Sequence, residues 1–196
     1  MKNIFKFLMI AMVVLAGASC EDSDLIIDEV LDSVDTESGA VVRTVGDLPD
    51  LVTLSNPDNN FIEMTLEVQQ GNGSFVPDFN EIRVFVQMWE DQDLTTPTSD
   101  GNGNPLSEQF ITSFAESEFS IDANALPRGT FTIPTQTILD AFPADANITV
   151  PTFLAIRLEL EMADGTVFTN TSVGGQVSGG IYFNAPFFYR VIFINS

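Results

Sequence analysis

Runs that alternate apolar and polar residues, turn-forming residues between them, and one short helical stretch together predict an all-β protein. The expected architecture is an antiparallel β-sandwich of immunoglobulin-like type with one short helix. The apolar set agrees: 17 phenylalanines and many β-branched residues suit a pleated, half-buried surface better than a helix.

The domain is expected over residues 38–196, opening with a short strand near Ala40–Val45. Ile62, Met64, Leu66 and Val68 then alternate with Glu63, Thr65, Glu67 and Gln69, which sends one set to a core and the other outward. Gly71-Asn72-Gly73 is turn chemistry. Ile82, Val84, Val86 and Met88 alternate with Arg83, Phe85, Gln87 and Trp89 in a second long strand. Shorter strands are expected at Phe110–Phe114, Glu118–Ile121 and Gly129–Ile133. Thr135–Phe142 reads as one or two helical turns, entered through Pro134 and ended before Pro143, because a residue preceding proline is pushed out of the helical region. Leu154, Ile156, Leu158, Leu160 and Met162 alternate with Phe153, Arg157, Glu159 and Glu161. Asp164-Gly165 turns that strand into Thr166–Thr171, and Tyr189, Ile192 and their neighbours form the last strand.

Ahead of the domain, Lys2 and Lys6 precede an apolar run over Phe7–Leu15 and the small residues Gly17-Ala18-Ser19. That pattern is a secretory signal peptide over residues 1–19, too short to span a bilayer. Residues 20–37 carry many acids and no basic residue. Two readings of them stand: a solvated, self-repelling tether, or a short amphipathic helix through Leu25, Ile26, Ile27, Val30, Leu31 and Val34.

Charge and missing residues narrow the function. The chain has a formal net charge of −21, and removing Lys2 and Lys6 with the signal leaves only Arg43, Arg83, Arg128, Arg157 and Arg190 against 28 acids. Such a field repels nucleic acid and anionic headgroups, so no nucleic-acid partner is expected, and membrane attachment must come from a lipid. There is no histidine, and Cys20 is the sole cysteine. Ser-His-Asp and Cys-His nucleophiles, His/Cys zinc sites and intrachain disulfides are all excluded. Carboxylate pairs of the glycosidase type carry no signal here, since 28 acids satisfy any spacing. A non-catalytic role is therefore expected.

Two candidate sites remain. Asp100, Asn102 and Asn104 place oxygen ligands at alternate positions, like the start of a calcium loop, and Glu90, Asp91, Asp93 and Glu108 could add carboxylates. An EF-hand loop needs glycine sixth and glutamate twelfth, where this chain has Pro105 and Ile111, and an ordinary polar turn explains the same residues. Calcium is the one cofactor left open. Trp89 and Tyr182 are the candidate ligand-binding aromatics. Trp89, the single tryptophan, lies on the strand face opposite Val84 and Val86: exposed, it can stack on a sugar ring, and buried, it is core. Tyr189 carries the same two readings.

The residues around Cys20 resemble the lipobox of bacterial lipoproteins, with Gly17 where leucine is usual and Ser19 where glycine or alanine is commoner. Glu21-Asp22-Ser23-Asp24 resembles the acidic tag that sends Bacteroidota lipoproteins to the outer cell surface. This likeness implies acylation of Cys20, palmitate included, and an outward-facing anchor in the outer membrane. Three further segments, Ser38-Gly39-Ala40-Val41-Val42-Arg43-Thr44, Asp164-Gly165-Thr166-Val167-Phe168-Thr169-Asn170 and Gly179-Gly180-Ile181-Tyr182-Phe183-Asn184-Ala185-Pro186-Phe187-Phe188-Tyr189, resemble Bacteroidota surface lipoproteins. The lipoproteins in question accompany outer-membrane transporters of the starch-utilisation, SusC/SusD-like type. The resemblance implies a non-catalytic accessory or ligand-binding subunit of nutrient uptake. Its partners would be such a transporter and a glycan or other polymer, and it carries over no catalytic residue. The alternative is a structural or adhesion module that binds another surface protein, and one tryptophan with two tyrosines lean that way, being few for a glycan platform.

Overall fold

The computed structural model describes residues 39–46, 48–70, 78–121, 123, 125–172 and 187–195, all within the unit Glu37–Ser196. The signal peptide, Cys20, the acidic tether and Tyr182 lie outside the described residues. The elements are β1 (Ala40–Thr44), β2 (Leu51–Thr53), β3 (Phe61–Gln70), β4 (Phe79–Trp89), β5 (Gln109–Ala115), β6 (Ser120–Ile121), β7 (Pro127–Pro134), helix α1 (Thr135–Asp140), β8 (Thr152–Met162), β9 (Val167–Phe168) and β10 (Phe188–Ile194).

Two sheets form. One has the order β1-β3-β7-β6; the other has the order β2-β10-β8-β4-β5, with β9 continuing along β8. Every pairing is antiparallel except that of β2 with β10. In immunoglobulin letters these orders are A-B-E-D and G-F-C-C′, with β2 added parallel to the last strand. The chain is an all-β, immunoglobulin-like sandwich.

The core follows from the alternation. Ile82, Val84 and Val86 on β4 and Ile156, Leu158 and Leu160 on β8 are fully buried, as are Ile62, Leu66 and Val68 on β3 of the facing sheet. Each such side chain contributes about 1.5–3 kcal/mol on leaving water. No disulfide pins the sheets, so aliphatic burial carries that task. An aromatic cluster extends it: Phe114 stacks on Phe131 at 3.9 Å between centroids, Phe119 lies 4.9 Å from Phe131, and Phe79 meets Phe119 edge-on at 5.1 Å. Phe79 and Phe114 come from the second sheet and Phe131 from the first, so the cluster ties the layers.

Gly129 makes room for this cluster, because a Cβ there would meet the Phe131 ring at 2.4 Å. The ring is held by Phe114 and Phe119 and cannot swing aside freely. Gly129→Ala is expected to cost about 1–3 kcal/mol by overpacking. Thermal denaturation checks it, and an unchanged midpoint would show that Phe131 has another rotamer to take.

Tyr189 resolves to core. It is buried on β10, and its phenol oxygen accepts a short hydrogen bond from the Thr44 hydroxyl on β1, linking the two sheets. Burial pushes that phenol up to about 12.

Three expectations need correction, and one strand is new. The strand expected at Glu118–Ile121 is a 3₁₀ turn over Glu116–Glu118 followed by the two-residue β6, because the Glu118 carboxylate accepts the Ala115 N–H at 2.7 Å and bends the chain from one sheet to the other. In Thr166–Thr171 only Val167 and Phe168 pair with β8, since the hydroxyl of Ser172 accepts the Thr169 N–H and turns the chain away. The helix ends at Asp140, and its buried Ile138 plugs the sandwich. β2 was not anticipated.

One buried charge stands out. Glu67, on the outward set of β3, is fully buried because its partners in both neighbouring strands are arginines: Arg43 on β1 and Arg128 on β7. Arg43 donates to Oε1 from Nε (3.1 Å) and its terminal nitrogen (2.6 Å), Arg128 donates to Oε2 from Nε (3.1 Å) and its terminal nitrogen (2.5 Å), and Gln69 donates to Oε1 at 3.0 Å. Burial by itself would raise this carboxyl's pKa. The hydrogen bonds from Arg128, Gln69 and Arg43, with the Arg43 charge, outweigh it and hold the group below the ordinary value.

Candidate functional site

The outward face of the second sheet is where chemistry collects. Strand register sets its rows. Leu51, Ile192, Phe153 and Trp89 lie side by side across β2, β10, β8 and β4. Next come Arg190, Ala155 and Gln87, then Phe188, Arg157, Phe85 and Phe110. Glu159 and Arg83, then Glu161 and Glu81, follow. Alternation on each strand put these residues outside while their neighbours entered the core. An aliphatic and aromatic row and a second row of three phenylalanines with Arg157 therefore flank a row led by Arg190, and Leu51 and Phe110, on the two edge strands, are 56% and 55% exposed.

Three of the chain's five arginines stand on this face. Arg157 spans from β8 over the Phe85 ring, its guanidinium carbon 4.5 Å from the centroid, and grips Glu108 with two bonds of 2.9 and 2.6 Å. Its third nitrogen donates to Glu159 at 2.6 Å. Hydrogen bonds from Glu108 and Glu159 raise its pKa further, so it stays charged at any working pH. Phe110 abuts Phe85 at 5.6 Å, edge to face. Arg83 bonds Glu161 at 2.9 Å and lies 3.6 Å from Glu159. Arg190, exposed, donates to the Gln92 carbonyl at 2.7 Å and makes no ion pair among the described residues.

Trp89 sits at the end of this face, half-buried, and pairs through its backbone with Pro97. Its indole Nε1 is buried without a hydrogen-bond partner among the described residues. The ring belongs to the row of Leu51, Ile192 and Phe153, and its buried N–H is not available to a sugar hydroxyl.

Three of the acids named as calcium ligands, Asp100, Asp91 and Glu108, accept hydrogen bonds from within the chain. Asp100 Oδ1 accepts the N–H groups of Asn102 and Asn104, both at 2.8 Å, and Oδ2 accepts the Asn104 amide at 2.9 Å. Those bonds, the Asn104 side chain first, hold the Asp100 carboxyl below its usual range. Asp91 caps its own turn through Thr95 and Thr96, and Glu108 is held by Arg157. Asn102 and Asn104 thus act as donors of turn bonds. Among the described residues no three acidic, histidine or cysteine side chains converge.

The sequence pointed to Trp89 and missed Phe85, Phe110, Arg157 and Arg190. Outward aromatics alternating with arginine on two strands were the available signal; which strands lie side by side was not.

No family model matches this chain, and no curated protein does. Solved structures similar to it include a β-glucosidase from Listeria innocua in complex with isofagomine, at 12% identity and a TM-score of 0.41, over 81% of this chain and 16% of that one. Another is MtrC from Shewanella baltica OS185, at 14% identity and a TM-score of 0.29, over 80% and 22%. The chain thus spans about a sixth of the β-glucosidase, and at these values the likeness carries no argument about activity.

Proposed function

We propose that this chain is a non-catalytic surface lipoprotein, anchored in the outer membrane through acylated Cys20, whose immunoglobulin-like domain binds another protein. The observation that carries the binding reading is the outer face of the second sheet, where aliphatic and aromatic side chains stand among Arg190 and Arg157 and where Leu51 and Phe110, on its two edge strands, are exposed. Interfaces favour aromatic residues and arginine. The hidden indole N–H of Trp89 weighs against a sugar platform. The resemblance at Cys20 and at the domain ends names one class of partner, a SusC/SusD-like transporter, and with it a place in nutrient uptake.

The test has two parts. Cys20→Ala should move the protein from the membrane fraction to the soluble one; retention of the variant without any partner contradicts the anchor. The lipidated protein should also co-purify with a defined outer-membrane protein in mild detergent, whereas recovery of the protein alone contradicts the binding role.

A further inference from the structure

An open sheet edge is a hazard that natural proteins blunt with very short strands, charges, proline or bulges. Among the described edges, β2 has three residues and β6 two, so neither offers much to pair with. β5 differs. It is the outer strand of its sheet, with β4 on one side and no strand on the other among the described residues. It runs for seven residues, Gln109-Phe110-Ile111-Thr112-Ser113-Phe114-Ala115, with no charge, no proline and no glycine. It carries one of those devices, a bulge that leaves Ile111 unpaired between the Val84–Thr112 and Phe85–Phe110 pairs. Phe110, on the outward side, is 55% exposed against Phe85. Such a segment is left open at a cost in aggregation risk, which is retained where the edge is used.

Resting on the protein-binding reading above, we infer that β5 is the docking edge: an extended segment of the partner adds to the sheet as a further strand. Main-chain hydrogen bonds supply affinity, and the Phe110–Phe85 ledge selects side chains on the outer face. Charge identifies the occupant. β5 is followed by Glu116 and Glu118, both exposed, whereas Glu108 before it already holds Arg157 through two bonds. A second copy would bring a net charge of −21 against the same charge and set nothing basic against Glu116 and Glu118. The partner segment is therefore an uncharged β-branched or aromatic stretch with lysine or arginine at the end that meets Glu116 and Glu118.

The test uses the full lipidated chain in detergent and synthetic peptides of about ten residues, the upper end of the usual strand range and enough to cover the seven residues of β5. One alternates valine and threonine between paired lysines, a second carries glutamates in place of the lysines, and a third is the lysine peptide N-methylated at alternate residues. The lysine peptide is expected to bind and to slow hydrogen exchange at β5 amides. The glutamate and N-methylated peptides should each bind about tenfold more weakly, and Phe110→Ser should weaken the lysine peptide about fivefold, the size of a lost cross-strand aromatic pair. No binding, or binding that leaves β5 exchange unchanged, overturns the inference. Photo-crosslinking in intact cells from position 192 separates the two levels. A protein adduct that persists in Phe110→Ser keeps the protein-binding reading and removes the edge, an adduct lost in Phe110→Ser supports the edge, and no adduct from wild type removes the reading itself.

Discussion

Glu67→Gln is expected to destabilise the domain by about 3 kcal/mol, because removing the acid from a buried ion pair leaves its partners uncompensated. The carboxylate accepts five hydrogen bonds, four of them from Arg43 and Arg128. Glutamine would turn an N–H₂ group toward one guanidinium, donor against donor. Both arginines are partly exposed, at 18% and 28% of the side chain, which places the loss at the low end for buried pairs. At about 2–4 °C per kcal/mol for a chain of this size, the midpoint falls by about 6–12 °C. The pH dependence has a definite sign. The folded pKa of Glu67 is lowered from 4.5, so its stabilisation is fully present above that unfolded value and is lost as pH falls through the folded one. Wild type should lose stability there, and Glu67→Gln should lose less. Denaturant midpoints across the acid range read this out; equal slopes for the two proteins would show that Glu67 is not the acid-sensitive group.

Leu158→Ala should cost about 3–4 kcal/mol, within the usual range for emptying a fully buried leucine site. Leu158 is fully buried on β8, between β4 and β10 in the middle of the larger sheet. Its backbone N–H is already committed to the Phe187 carbonyl at 2.8 Å, so the strand cannot shift to fill the void. Leu51→Ala, on the exposed face, should stay within about 0.5 kcal/mol. Guanidinium unfolding compares the two, and similar losses would contradict the assignment of core and face.

The long strands were legible because β3, β4 and β8 each bury one face and expose the other, so period two survives in their residues. β2 was not: Leu51-Val52-Thr53 is too short to show a pattern, and it is a strand only because Ile192–Ile194 offers it a parallel partner. Glu67 read as an outward acid because its burial comes from Arg43 and Arg128, 24 and 61 residues away. The site was half legible for the same reason. Trp89 stood out as a single tryptophan, and the outward order of Arg83, Phe85 and Gln87 could be read from one strand. That Arg157 crosses Phe85 to hold Glu108, or that Phe110 sits against Phe85, depends on strand order, which no local pattern encodes.

In the proposed role, the outer face of the second sheet, and not that of the first, meets a protein on the cell surface. Replacing Phe110 on β5 or Thr132 on β7 with a photo-crosslinking amino acid, then irradiating intact cells, compares the two faces directly. The prediction is a discrete protein adduct from position 110 and none from position 132. No adduct at 110, or equal adducts at both positions, would contradict it.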